Sequence, residues 1–303
     1  MTEIGPEDEA MLLTLDRYQD LAAATDLAIG TADAKDPLIP LLGLAGEVGS
    51  LIAEYKKRVR PGGDAYIGFE STVAVELGDI LWYLAALARR VDRSLSEVAH
   101  ENLAKTRDRY VTDDGVLTYS FDDGFPEDQR LPRRFGVVFE TQEEGGLTKC
   151  RMRLEGESLG DPIDDNSRQP DNYRFHDIFH IAHAAVLGWS PVLRALIKRK
   201  RNFDHDTDRV EDGARAIATE EAVTGMVFEL ASVWNYFEGA ERVDDSILRA
   251  AKDVTARLEV RAKPASEWER AILTGYAAWR ALRANGGGRV LVDLDERTVD
   301  YVG

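Results

Sequence analysis

The sequence predicts a mainly α-helical protein with a small antiparallel sheet in its second half. Apolar residues recur at helical spacing over the first 110 residues. Two strand-like runs flank Gly145-Gly146, and helical spacing returns from about residue 172. Of the 303 residues, 44% are hydrophobic and 31% are charged, a balance typical of globular proteins. At about 150 residues per domain, this length favours two domains.

Four helices are expected in the N-terminal part, over residues 7–29, 40–59, 70–91 and 94–110. The sequence Pro61-Gly62-Gly63 is expected to stop the second helix. Ser94 and Glu97 have the spacing of a capping box, in which each side chain accepts a hydrogen bond from the other residue's backbone N–H. This capping box predicts where the fourth helix begins.

A domain boundary is expected after residue 112. Aspartate, glycine and proline residues indicate an irregular linker over 113–134, so the second domain would comprise residues 135–303. A hairpin is predicted over 135–156, and residues 156–171 are expected to form a loop. Two short strands in the tail, residues 289–302, would join the hairpin in one sheet. Further helices are predicted over 172–188, 190–201, 213–239, 244–260 and 265–285.

Charge and cysteine content restrict the function classes. The formal net charge is −17, so the chain has no overall attraction for a nucleic-acid polymer. The most basic stretch, residues 194–201, is expected to be a solvated helix face. The single cysteine, Cys150, excludes an internal disulfide and favours a reducing compartment. The acidic N-terminus lacks signal-peptide features, and the apolar run 80–88 is too short to span a bilayer. We therefore expect a cytoplasmic protein without a membrane partner.

Two pairs of carboxylates lie on the second and third predicted helices. Glu47 and Glu54 are seven residues apart, and Glu76 and Asp79 are three apart, so each pair shares one helix face. Hard cations prefer oxygen ligands, so these four carboxylates predict a Mg²⁺ or Mn²⁺ site. The alternative is two solvated helix faces. Small residues that allow close helix approach favour the metal site; these are Gly43, Gly46, Gly49 and Gly78.

The stretches GLAGEVGSLIAEYKK (43–57) and VELGDILWYLAALA (75–88) resemble the all-α nucleoside triphosphate pyrophosphohydrolases of the MazG-like superfamily. That superfamily, which includes dCTP pyrophosphatases and dimeric dUTPases, has E-x-x-E on one helix and E-x-x-D on the next. Glu47 matches the first glutamate, and Glu76 and Asp79 match the second pair. Ser50 stands at the position of the second glutamate, and Glu54, one turn later, is the expected replacement. The resemblance covers about residues 12–110.

The fourth predicted helix carries a row of hydrogen-bond donors. Asn102, Lys105 and Arg109 are similar to the superfamily's N-x-x-K-x-x-x-R and fall on one helical stripe. Such donors suit phosphate oxygens, so we assign these three residues and Lys56 to substrate binding.

The resemblance implies Mg²⁺-dependent hydrolysis of a nucleoside triphosphate, either NTP or dNTP, between the α and β phosphates. The products would be a monophosphate and pyrophosphate. It also implies a homo-oligomer, a dimer or a tetramer, and makes Tyr18 and Gln19 candidates for base recognition. Because Ser50 departs from the pattern, the alternative is a nucleotide-binding sensor without catalysis.

A row of histidines marks the second half. His176, His180 and His183 fall at i, i+4 and i+7, and Glu220 lies on the core face of a later helix. These four residues are a possible second metal site, for a transition metal, in which Glu220 either ligates the metal or orients the rings. The histidine row would then be the centre of a metal-dependent phosphohydrolase. The alternative is a buried polar network without metal.

Overall fold

The computed structural model describes residues 13–27, 35–61, 66–110 and 120–303. The chain divides into two compact units, Met1–Thr106 and Arg107–Gly303. As predicted, the protein is mainly α-helical and has one small antiparallel sheet, which lies in the second unit.

The described residues of the first unit form three α-helices and most of a fourth: α1 (Leu15–Ala23), α2 (Leu38–Arg58), α3 (Phe69–Arg90) and α4 (Leu95–Tyr110). The predicted capping box of α4 is confirmed. The Ser94 hydroxyl accepts a hydrogen bond from Glu97 N at 3.1 Å, and the Glu97 carboxylate accepts one from Ser94 N at 3.0 Å. The first helix is shorter than predicted, and residues 7–12, 28, 29, 62 and 63 lie outside the described residues.

The first unit has a small core of alanines and aromatic rings. Ala85 and Ala88 on α3 pack with Ala22 on α1 and with Leu95, and Trp82 borders them. Small side chains let α1 approach α3 closely, but they bury little apolar surface. Large apolar residues of this unit consequently remain exposed.

Helices α2 and α3 are long and apolar enough to cross a membrane, judged by length and composition alone. The apolar run 80–88, which is too short to predict a membrane span, is only part of α3. Most of α2 is exposed, and one row of its exposed residues has the alternating spacing of three and four that packs against another helix. We call this row the α2 stripe; it consists of Leu38, Leu41, Ala45, Val48 and Ile52.

The described residues of the second unit add six α-helices and one sheet. The helices are α5 (Asp177–Leu187), α6 (Pro191–Leu196), α7 (His205–Val210), α8 (Ala214–Val233), α9 (Asp245–Val254) and α10 (Ala265–Asn285). The strands are β1 (Arg134–Glu144), β2 (Leu147–Leu154), β3 (Glu157–Ile163), β4 (Gly288–Asp293) and β5 (Thr298–Tyr301). Their order in the sheet is β3-β2-β1-β4-β5, and every neighbouring pair is antiparallel.

The sheet confirms the predicted hairpin and the predicted pairing of the tail with it. Gly145 and Gly146 join β1 to β2 with φ of 63° and 79°, values that glycine adopts without steric cost. Residues 157–163, expected to be a loop, instead form the edge strand β3, so that expectation was wrong. Only one of its residues pairs with β2 beyond Leu159, after a register shift, and such an irregular edge gives little strand periodicity in the sequence.

The helices predicted to end at residues 201, 239 and 260 end earlier, at Leu196, Val233 and Val254. The predicted linker and the basic stretch also differ from expectation. The described part of the predicted linker, residues 120–134, packs into the second unit, since Phe121 and Leu131 belong to its core. The basic stretch 194–201 is not simply a solvated face. Arg194 and Arg201 in this stretch are each 1% exposed, because buried carboxylates of the same unit pair with both of them.

Helix α5 lies at the centre of the second unit. It packs against α10, where Gly275 faces Phe179 and Ala182 of α5. Every residue from Ile178 to Leu187 is buried, including two histidines. The fold therefore places the histidine row among apolar side chains, where a polar group needs a partner.

Candidate functional site

Helices α2 and α3 pack against each other in antiparallel order. Tyr83 of α3 lies over Gly43 of α2, and at the opposite end Tyr55 meets Phe69 edge to face at 5.2 Å between ring centroids. A Cβ at Gly43 would lie 2.2 Å from the Tyr83 ring, so glycine permits this approach. The expected role of the other three glycines was wrong. At Gly46, Gly49 and Gly78, a Cβ would meet no described atom within 4 Å.

Three of the four predicted ligand carboxylates converge between these helices. Oxygens of Glu47, Glu76 and Asp79 lie within 4.8 Å of one another, and we call this group the carboxylate cluster. Desolvation, followed by the negative charge of Glu47, raises the pKa of Glu76. A divalent cation would relieve this repulsion, and its preferred ligands are carboxylate oxygens. The residues present therefore fit a Mg²⁺ or Mn²⁺ ion.

Glu54 is held apart from the carboxylate cluster by two partners of its own. Lys57 Nζ lies 2.5 Å from one carboxylate oxygen, and the Tyr66 hydroxyl donates a hydrogen bond to the other. The hydrogen bond from Lys57, and then the one from Tyr66, lowers the pKa of Glu54. Both oxygens are thus engaged by donors rather than directed to a shared cation.

The predicted substrate-binding residues fall into two environments. Lys56 on α2, and Asn102 and Lys105 on α4, are exposed. Arg109, at the end of α4, is buried within the second unit, where its Nη1 lies 2.9 Å from Glu269 and its Nη2 donates to a backbone carbonyl at 2.8 Å. The structure therefore presents three of the four predicted donors to solvent and gives the fourth an internal partner.

Of the two candidates for base recognition, Gln19 has a structural role. Gln19 is buried, its amide nitrogen donates to Arg93 O at 3.0 Å, and its amide oxygen accepts from Leu95 N at 2.6 Å. Tyr18 packs against the small core of the first unit. Gln19 thus connects α1 to the start of α4.

In the second unit, the histidine row meets two adjacent glutamates of α8. Glu220 is fully buried and accepts hydrogen bonds from His183 Nδ1 at 3.1 Å and from Ser190 Oγ and Val192 N. His180 Nδ1 lies 3.0 Å from the same carboxylate. Burial alone would raise the pKa of Glu220, but the charges of His180 and His183 hold it well below its usual range.

Sequence reasoning missed Glu221, the next residue of α8. Its carboxylate lies 3.4 Å from Nε2 of His180, and its ligand atom is within 4.8 Å of those of His176 and His180. The available signal was the doublet Glu220-Glu221 itself. Adjacent helical residues point about 100° apart, and so a doublet can face one histidine from two sides.

Comparison with known proteins shows the family. Residues 116–303 match the family model described as the MazG C-terminal domain, and because this match spans more than half of the chain, the chain belongs to that family. The chain is also 38% identical over 115 residues to the gene 37 protein of Mycobacterium phage L5, an alignment that covers 36% of this chain and 96% of the phage protein. No solved structure matches. The family match thus lies in the C-terminal part, whereas the MazG-like resemblance concerned the N-terminal third.

Proposed function

We propose that the protein is a Mg²⁺-dependent nucleoside triphosphate pyrophosphohydrolase. The observation that carries this proposal is the carboxylate cluster, in which Glu47, Glu76 and Asp79 converge between α2 and α3. Membership of a MazG-related family supports nucleotide chemistry of this kind in general terms. The particular reaction comes from the resemblance of the N-terminal helices.

In the proposed reaction, water adds to a phosphorus of the α–β linkage and the bridging P–O bond breaks. The products are a nucleoside monophosphate and pyrophosphate, and the proton of the water passes to a carboxylate oxygen or to solvent. When bound, Mg²⁺ would offset the phosphate charge and favour deprotonation of water. The protein would hold the three carboxylates together and position the triphosphate.

The exposed donors are proposed to bind the phosphates. Lys56, Asn102 and Lys105 have the chemistry for phosphate oxygens and are accessible. Arg109 is left out of this set, since Glu269 already engages its guanidinium. Glu54 is proposed to position Lys57 instead of binding the metal.

Ser50 favours a second candidate, a nucleotide-binding sensor. A serine at this position removes one carboxylate from the pattern, and Glu54 does not join the cluster in its place. Mg²⁺ is usually bound by one or two carboxylates together with substrate phosphates, so three carboxylates suffice to bind a Mg²⁺–nucleotide complex. Hydrolysis also requires that the water and the phosphorus be held in reacting geometry. Binding without hydrolysis would support this candidate.

Product analysis separates the two candidates. The full-length protein is incubated with Mg²⁺ and a panel of NTPs and dNTPs, beside Glu76→Gln and Ser50→Glu variants. An enzyme releases monophosphate and pyrophosphate, Glu76→Gln abolishes the release, and Ser50→Glu preserves or raises it. Nucleotide binding without product in the wild type, combined with turnover in Ser50→Glu, identifies a sensor. Wild-type turnover that Glu76→Gln leaves unchanged would contradict both candidates.

We further propose that the protein acts in the cytoplasm as a homo-oligomer, a dimer or a tetramer, without a nucleic-acid polymer or a membrane. The α2 stripe supports an oligomer because its residues have interface spacing and are exposed in the single chain. The opposite side of α2 carries the carboxylates, so a partner on the stripe would leave the cluster between α2 and α3 intact. The net charge of −17 also disfavours nucleic acid.

A further inference from the structure

The inner part of the histidine site is Glu220, a buried carboxylate that accepts three hydrogen bonds. Glu220 accepts hydrogen bonds from the His183 ring, the Ser190 hydroxyl and the Val192 backbone, and it has no exposed surface. Each additional donor stabilises its negative charge at this position. Glu220 is therefore a fixed buried anion beside His180.

The outer part of the histidine site consists of His176, His180 and Glu221, whose ligand atoms lie within 4.8 Å of one another. His176 is oriented by two contacts with Tyr173. Its Nδ1 lies 3.1 Å from the Tyr173 carbonyl oxygen, and the two rings stack at 4.5 Å with an interplanar angle of 5°. A bond from Nδ1–H to the carbonyl leaves Nε2 as the lone-pair nitrogen. Metal-binding histidines have this arrangement when a carbonyl or carboxylate accepts their other ring N–H.

His180 provides an independent indication of a ligand. Its side chain is 1% exposed, yet neither ring nitrogen has a hydrogen-bond partner of adequate geometry among the described residues. Nδ1 is near Glu220 and Nε2 is 3.4 Å from Glu221, but both contacts are poorly aligned. A buried polar group without a partner is costly, and a ligand nitrogen of His180 lies within 4.8 Å of ligand atoms of His176 and Glu221.

We propose that His176, His180 and Glu221 bind one divalent transition-metal ion, with Glu220 as the buried anion 3.0 Å from Nδ1 of His180. Two imidazole nitrogens and one carboxylate are a ligand set typical of zinc and of other first-row ions. This assignment changes the set predicted from sequence, because Glu221 becomes a ligand while His183 and Glu220 become positioning residues. The site lies within the second unit and does not depend on the function proposed for the first.

The charges and the exposure of the site agree with this assignment. With neutral histidines, a divalent ion would offset the negative charges of Glu220 and Glu221, and Asp177, whose carboxylate lies 3.8 Å from Nε2 of His176, adds a third negative charge near the ion. Glu221 is the most exposed member, at 42% of its side chain, and His176 is 14% exposed. One side of the proposed site is thus open to solvent. Three protein ligands with an open side are typical of catalytic metal sites, whereas structural zinc sites have four protein ligands.

The test measures Zn²⁺ binding to the chelator-treated full chain by calorimetry, with Co²⁺ absorption as a second readout. All proteins carry Glu76→Gln, so that the carboxylate cluster contributes little to the measured Zn²⁺ binding. We expect one equivalent of Zn²⁺, with affinity reduced at least about tenfold in His176→Ala and in Glu221→Gln, since each removes a ligand. His205→Ala and Glu229→Gln, which alter an exposed histidine and an exposed glutamate of the same unit, should bind as the parent does.

Three outcomes would overturn the proposal. The first is no Zn²⁺ binding by a protein whose circular dichroism shows that it is folded. The second is binding that both His176→Ala and Glu221→Gln leave unchanged. The third is binding that is lost in His183→Gln but retained in Glu221→Gln, which would identify His180, His183 and Glu220 as the ligands. Glu221→Gln keeps the size of the side chain at a partly exposed position, and so it tests the ligand even if His176→Ala fails to fold.

Discussion

The Tyr66 hydroxyl donates a hydrogen bond to the carboxylate of Glu54, and Lys57 occupies the other oxygen of that carboxylate. This relationship removes Glu54 from the group formed by Glu47, Glu76 and Asp79. A carboxylate that already accepts a charged donor gains less from a cation than one that faces other carboxylates does. The four acidic side chains therefore divide into three candidate ligands and one positioning residue.

The first prediction is a difference between Glu54 and the members of the carboxylate cluster. Glu76→Gln should weaken Mn²⁺ or Mg²⁺ binding at least about tenfold, because it removes a ligand from a set of three. Glu54→Gln should change metal affinity much less, since its partners are Lys57 and Tyr66. Isothermal titration of both variants measures this. Equal losses in the two variants would show that Glu54 is a ligand after all.

The second prediction concerns Arg109, which pairs with Glu269 and donates to the Val243 carbonyl. Arg109→Ala should lower the free energy of unfolding by about 2 kcal/mol, because it breaks a buried ion pair while Glu269 keeps its bonds to Arg242 and Val243 N. Lys105→Ala, at an exposed position, should change this free energy by less than about 0.5 kcal/mol and should raise KM for nucleotide. Urea denaturation and steady-state kinetics measure the two effects. A stable Arg109→Ala protein with raised KM would return Arg109 to the substrate site.

Local signals in the sequence predicted much of the fold. The Ser94–Glu97 capping box and the Gly145-Gly146 turn each involve residues a few positions apart, so the sequence contains the whole interaction. The pairing of Glu76 with Asp79 is likewise a matter of helical spacing. For the same reason the sequence indicated that α2 and α3 carry carboxylates on single faces.

Interactions between distant residues were not predictable in this way. The basic composition of residues 194–201 predicts a solvated face for Arg194, yet its guanidinium is buried against Asp122, 72 positions earlier in the chain. Arg109 had the right helical spacing for a phosphate ligand, but its partner Glu269 lies on α10. Glu221 was not predicted as a site residue, because its contact with His180 depends on how α8 packs beside α5. In each case, tertiary packing decided which charges meet.

The third prediction is a loss of stability in acid that depends on Asp122. Burial alone would raise the pKa of this carboxyl, but its hydrogen bond from Ser120 and the charge of Arg194 lower the pKa from 3.8 to about 2. A lowered folded pKa stabilises the protein above the unfolded value, and this stabilisation is lost as the pH falls from about 4 to about 2, in total about 2 kcal/mol. Urea denaturation at several pH values measures this loss. Asp122→Asn should be less stable at pH 7 and should lose less over that window.

The neighbouring Asp123 provides the control, because its side chain is 60% exposed, although it pairs with Arg133 and accepts a hydrogen bond from Ser120 N at 3.2 Å. Asp123→Asn should keep the acid dependence of the wild type. If Asp122→Asn lost stability between pH 4 and pH 2 as steeply as the wild type, another carboxylate would have to be responsible.

The fourth prediction is that Cys150 does not react in the native protein. The thiol is buried in β2, and burial raises its pKa to about 12, so almost no thiolate forms at pH 8. A thiol-specific reagent at pH 8 should label one cysteine per chain in denaturant and almost none without it. Ser158→Cys, at an exposed position on β3, should react at once in the native state. Rapid labelling of native wild type would mean that β2 opens readily.

The fifth prediction concerns the α2 stripe, whose member Ile52 is 62% exposed in the single chain. We expect light scattering to show a dimer or tetramer in aqueous buffer, because apolar residues at spacings of three and four stabilise a helix–helix interface. Ile52→Glu should shift the protein toward monomer, since it buries an unpaired charge in that interface. Phe203→Glu changes an apolar residue of the second unit that is 73% exposed and lies outside the stripe, and it should leave the oligomer intact. Because α2 is also long enough to cross a bilayer, flotation with lipid vesicles is measured in parallel. If the wild type is a monomer that floats with vesicles, the stripe binds a membrane. If the Ile52→Glu variant keeps the oligomeric mass, the subunit interface lies elsewhere.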